Sequence, residues 1–154
     1  MIRVYPYDNL GSADHGWLKA RYHFSFSDYR NPDRMRFGKL RVINDDIVKA
    51  GHGFDMHPHD NMEIITIPLE GDLEHKDSMG NEGVIRNGEI QVMSAGKGIY
   101  HSEYNKSKDT DVKLLQIWVF PNMTVSLSVG RDSFYHVVGG GIVLTFFGWS
   151  NLQL

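Results

Sequence analysis

Residues 53–64 read GFDMHPHDNMEI, and residues 98–105 read GIYHSEYN. In the first stretch His57 and His59 are two positions apart, a spacing that puts both imidazoles on one face of an extended strand. The second repeats the geometry: His101 and Glu103 are again two apart, and His101 follows His59 by 42 positions. Two such strands laid side by side can present three imidazoles and one carboxylate to a single point. The chain has no cysteine, so disulfides, thiolate metal sites and cysteine nucleophiles are all excluded, and any metal must sit on N and O donors. Neutral imidazole and carboxylate suit Fe, Mn, Co, Ni, Cu and Zn, and four ligands on an octahedral ion leave two positions for substrate or dioxygen.

Outward from these stretches the chain reads as β. Short runs rich in β-branched and aromatic residues recur around Tyr22 to Phe26, Leu40 to Ile43, Met62 to Leu69, Gly83 to Ile85, Glu89 to Met93, Lys113 to Phe120 and Ile142 to Phe147. Met79-Gly80-Asn81 and Asn87-Gly88 are turn sequences, because glycine and asparagine accept the positive φ of tight hairpins. A helical pattern shows only weakly, around Asp45 to Ala50. The expectation is an all-β jelly-roll barrel in a single domain.

The 154 residues suffice to bury a core without disulfides. With 41% hydrophobic and 23% charged residues and a formal net charge of −3, neither disorder nor a nucleic-acid-binding surface is indicated. No stretch reaches the roughly 18 apolar residues of a spanning helix. A cytoplasmic protein with no direct nucleic-acid or membrane partner is the expectation.

The order of signals around the two stretches is specific. Gly51 precedes His57 by six positions, Glu63 follows His59 by four, Gly71 and Gly88 mark strand ends, and Asn105 follows His101 by four. That order resembles the two motifs of the cupins, whose barrel is a double-stranded β-helix. More closely, the chain resembles the pirins over roughly His15 to Pro121, through HGW at 15–17, HFSFSDY at 23–29, LRVINDD at 40–46, GFDMHPHDNMEI at 53–64, LEGDLEHKDSMGN at 69–81 and MSAGKGIYHSEYN at 93–105. The resemblance implies a pirin N-terminal-type cupin domain over 1–121 and one divalent metal, Fe(II) in most pirins with Mn, Co, Ni or Cu as alternatives, on His57, His59, His101 and Glu103. Pirins continue into a second barrel, which the resemblance leaves absent here. Residues 122–154 read as a divergent tail whose apolar end, GGGIVLTFFGWSNLQL, is expected to close the barrel or to mediate a homodimer.

Some pirins resemble quercetinases, which add dioxygen across the central ring of a flavonol and release carbon monoxide. The resemblance therefore implies a small planar phenolic and dioxygen as partners, with Glu103 as the catalytic base. Pirins also resemble iron-binding transcriptional co-regulators, so a non-catalytic, redox-sensing protein is the alternative, and a metal-assisted isomerase is a third. General cupins take a carboxylate ligand from the first motif; here that position is Glu63, read as a partner orienting a ligand imidazole or as a rim carboxylate. His75 is read as lying at a hairpin end, outside the ligand set, and His15, His23, His52 and His136 lack partners at ligand spacing. Trp17, Phe24, Phe26, Trp118 and Phe120 read as core or as an aromatic pocket, and Met56, Met62 and Met93 as packing residues.

Overall fold

The computed structural model describes residues 2–121, 131–138 and 141–144. Its strands are β1 (Gly11–Asp14), β2 (Leu18–Tyr22), β3 (Leu40–Val48), β4 (Gly53–His59), β5 (Glu63–Glu70), β6 (Leu73–Asp77), β7 (Glu82–Ile85), β8 (Glu89–Ser94), β9 (Ile99–Asn105), β10 (Val112–Val119), β11 (Arg131–Val138) and β12 (Gly141–Leu144). Two single 3₁₀ turns, Tyr7–Asn9 and Pro32–Arg34, are the helical elements among the described residues. An eight-stranded sheet in the order β1-β2-β3-β10-β5-β8-β11-β12 faces a four-stranded sheet in the order β4-β9-β6-β7. Every pairing between these strands is antiparallel. The architecture is the all-β cupin barrel.

Strand alternation decides what enters the interior. Along β3 the buried positions are Val42, Asn44, Asp46 and Val48, and along β10 they are Val112, Leu114 and Gln116. The buried face of β3 is apolar at both ends and polar in the middle, and that of β10 passes from Val112 and Leu114 to Gln116. One apolar cluster joins Leu18, Ala20, Val48, Val112 and Leu114 of the large sheet to Leu73 and Ile85 of the small one. A second gathers Ile64, Met93, Ala95 and Ile99, with Trp118 packed against it. Cross-strand register lines up Tyr22 with Asn44, Asn44 with Gln116, Gln116 with Thr66 and Thr66 with Gln91. A transverse row of five buried polar or hydroxyl-bearing side chains thus crosses β2, β3, β10, β5 and β8.

Several expectations shift. The weak helical stretch around Asp45 to Ala50 begins inside β3, where burial alternates with period two through Val48, a β-branched pattern that suits a strand. The strand expected around Tyr22 to Phe26 lies earlier, at Leu18–Tyr22. Beyond it the chain turns: Ser25 Oγ accepts the Asn31 N–H at 2.8 Å and lies 2.9 Å from the Asn31 carbonyl, and Phe26 bridges only to Tyr29. Of the strand expected around Ile142 to Phe147, Gly141–Leu144 is observed, pairing with β11, which itself pairs with β8. Of residues 139–154, on which the homodimer expectation rests, all but Gly141–Leu144 fall outside the described residues. No described helix is long and apolar enough to cross a membrane.

Candidate metal centre

The first imidazole pair sits on β4, which runs antiparallel to β9 with Phe54 opposite Glu103 and His57 opposite His101. Three steps along β4 match two along β9, so β4 carries one extra residue, a bulge. In a regular strand Phe54 and His57, three apart, would face opposite sides. The bulge restores their phase, and Phe54, His57 and His59 line the same cavity. Just before it, Gly53 presses against β9 so closely that a Cβ there would fall on the backbone oxygen of Glu103.

The three imidazoles converge. Ring centroids of His57 and His101 are 4.4 Å apart, those of His59 and His101 4.8 Å, and those of His57 and His59 4.9 Å. One potential ligand atom from each lies within 4.8 Å of the others. The Nδ1 of His57 donates to the Asp55 carbonyl at 2.7 Å; a carbonyl only accepts, so Nδ1 carries a proton and Nε2 is the nitrogen left to offer a lone pair. The Nδ1 of His101 lies 3.1 Å from His75 Nε2, which leaves the Nε2 of His101 facing elsewhere.

The Nε2 atoms of His59 and His101 are buried and have no hydrogen-bond partner. Buried polar atoms without partners are costly, and a cation taking their lone pairs offsets that cost. Burial, then the neighbouring imidazoles, pushes His59 down to about 4 and His101 down to about 2. Both rings are therefore neutral at physiological pH, the form that ligates metals. The donor set fits a divalent transition ion.

Glu103, 2% exposed, is not one of that close triple but lines the same cavity as His57 and His59. Its carboxylate accepts from Gln116 Nε2 at 3.0 and 2.8 Å and from Thr66 Oγ1 at 3.0 Å. Gln116 and Thr66 come from the opposite sheet, so these bonds tie the two sheets together at the site. Nearby on β3, Asp46 is raised to about 8 by burial and then by the charge of Glu103, so its carboxyl carries a proton at neutral pH.

The cavity, about 210 Å³, is also lined by Phe26, Phe54 and Trp118, with the Trp118 and His59 rings edge to face at 4.7 Å. Phe26 and Trp118 thus belong to the aromatic lining. Trp17 packs edge to face on Phe54 at 5.2 Å and belongs to the core, while Phe24 and Phe120 stand near Arg34 and Arg36. The lining residues Phe54, Asn44 and Asp46 were not singled out from sequence, because a bulge and a polar core face are invisible to simple alternation.

Other positions are corrected. His75 is not at a hairpin end: it is fully buried in β6, opposite Gly83 and Glu103, where it touches His101. Glu63 orients no imidazole; it begins β5, opposite Ser94, whose hydroxyl it accepts. Met56 is 53% exposed, whereas Met93 is core. His15, His23 and His52 join no potential ligand cluster among the described residues.

Comparison with known proteins agrees with this geometry. The Pirin family matches residues 4–119. Quercetin 2,3-dioxygenase of Escherichia coli K12 is 52% identical over 121 residues, which are 79% of this chain and 52% of that protein. The crystal structure of the bacterial pirin YhhW from Escherichia coli in complex with nickel(II) superposes with a TM-score of 0.82 at 46% identity, covering 86% of this chain and 56% of that one. The Schizosaccharomyces pombe Cnp3 cupin domain, 15% identical with a TM-score of 0.54 over 77% of this chain and 74% of that one, shares the fold alone. The chain spans about half the length of the curated relatives it matches. On the family match, the identities and the convergent imidazoles in a cupin barrel, this chain belongs to the pirin family.

Proposed function

We propose that this chain holds one divalent transition ion, Fe(II) in its working form, on His57, His59, His101 and Glu103, and acts as a flavonol 2,3-dioxygenase. The observation that carries the proposal is the pair of buried, partnerless Nε2 atoms on His59 and His101, set in a triple of imidazoles beside an aromatic cavity. That the Escherichia coli pirin forms a complex with nickel(II) supports a divalent ion as the ligand. When bound, the ion supplies Lewis acidity toward a flavonol hydroxyl and a route for electrons from flavonol to dioxygen.

The chain's own residues do the rest. Phe26, Phe54 and Trp118 offer faces and edges to a planar ring system. Glu103 takes the proton of the flavonol 3-hydroxyl, while Gln116 and Thr66 hold the carboxylate in place. His75 fixes the ring of His101. Overall, both atoms of one dioxygen enter the ring-opened product, and one carbon leaves as carbon monoxide.

The test is elemental analysis of the purified protein, followed by quercetin loss at its visible band under air and under nitrogen. Oxygen-dependent loss that disappears in His59→Ala supports the enzyme. A fully metallated protein without turnover overturns it in favour of a redox-sensing regulator.

A further inference from the structure

We infer that Asn44 and Asp46 form a hydroxyl-recognition subsite in the cavity, reading phenolic hydroxyls of the substrate beyond the one that is deprotonated. The two side chains are neighbours on the inward face of β3, in the sheet that faces the imidazole-bearing strands. They are 3% and 4% exposed, and both line the cavity shared with His57, His59 and Glu103. Each carries a buried Oδ1 with no hydrogen-bond partner.

Part of the remaining hydrogen-bonding capacity around the cavity is committed, while Trp118 Nε1, like His59 Nε2, is buried without a partner. The Gln116 amide and the Thr66 hydroxyl serve Glu103, and His57 Nδ1 serves the Asp55 carbonyl. Asn44 and Asp46 retain acceptors and the Trp118 indole N–H remains a donor, in a wall that also holds Leu18, Ala20, Tyr22, Phe26 and Phe54. A hydroxyl both donates and accepts, so it fits two open acceptors beside an open N–H better than a cation, which needs only acceptors, or an alkyl group, which satisfies neither oxygen. A site built to hydrogen-bond a hydroxyl discriminates strongly against an analogue lacking it, because its own buried groups are then left unpaired.

The inference rests on the flavonol reading for the identity of the ligand, and its test separates the two. The metal-loaded chain under nitrogen is titrated with 3-hydroxyflavone and with 3,5,7-trihydroxyflavone, following tryptophan fluorescence; Trp118 lines the cavity. The trihydroxy compound is expected to bind at least about tenfold more tightly, the size of one net hydrogen bond or more. Asn44→Leu and Asp46→Leu are expected to lose about that factor for the trihydroxy compound and less than about twofold for 3-hydroxyflavone. Asp46→Asn, which keeps a donor and an acceptor, is expected to retain most of the preference. Equal affinity for the two flavonols in the unaltered protein overturns the inference without requiring any variant to fold, and so does parallel loss in the leucine variants. Discrimination without turnover in air leaves the subsite standing and removes the dioxygenase; turnover without discrimination does the reverse.

Discussion

His75 places its Nε2 3.1 Å from the Nδ1 of His101, an arrangement that sets the ring angle of a proposed ligand without touching the ion. Replacing His75 with Phe keeps most of the volume and removes the hydrogen bond. Metal affinity, measured by competition with a chromogenic chelator, is expected to fall by about 10–100-fold. The depressed imidazoles carry a second prediction. Unfolded, His59 and His101 take up protons near pH 6.5; folded and metal-free, they refuse them until about 4 and about 2. The unfolded chain then binds more protons, so their contribution to stability is present above pH 6.5 and is lost as pH falls. Asp46 has the opposite sign: the unfolded chain releases its proton near 3.8 and the folded one near 8, so its contribution declines as pH rises between those values. Two imidazoles outweigh one carboxyl where the windows overlap. Thermal melts of metal-free protein should show Tm falling from pH 6.5 to pH 5, and Asp46→Asn should remove the carboxyl's share of any decline between pH 6.5 and 8. At this scale the convergence of His57, His59 and His101 was legible because spacing by two survives in strands, and Glu103 lines the same cavity as His57 and His59. His75 was misread because the charges of Glu74 and Lys76 suggest a hairpin end, whereas the positions alternate around a buried His75.

The strand carrying His57 and His59 is held in phase by its bulge and by the close approach at Gly53. Gly53→Ala puts a methyl group onto the Glu103 backbone, and β4 must move away from β9. We expect a loss of about 1–3 kcal/mol in denaturant unfolding, typical of overpacking, together with weaker metal binding because the pairing of His57 with His101 is displaced. Elements with apolar alternation, β5, β8 and β10, were visible in sequence. The end of β3 was not, since Asn44-Asp45-Asp46 reads as surface, yet Asn44 and Asp46 face inward between Val42 and Val48. Local composition reports average polarity; it does not report that one face of a strand turns toward a cavity.

At the scale of the whole molecule, two apolar clusters among the described residues flank a polar belt, and stability should divide accordingly. Leu114→Ala, in the first cluster and fully buried, is expected to cost about 2–5 kcal/mol in denaturant unfolding. Removing the ion with a chelator should lower the Tm by several degrees, since a ligand at about 100 times its Kd stabilises by about 2.7 kcal/mol. The barrel class was readable from strand density and turn sequences. The cavity was not, because it depends on which residues of β2, β3 and β10 meet those of β4 and β9, a register set by long-range pairing. That transverse belt bears on how such a barrel diversifies. Its positions occupy one rung of the large sheet: Tyr22 also belongs to the first apolar cluster, Thr66 and Gln116 bond across to Glu103, and Asn44 does neither. An exchange at Asn44, which lines the cavity and belongs to neither apolar cluster, alters what the interior tolerates without emptying either one, so the lining of the cavity and the foldability of the barrel can drift on separate clocks.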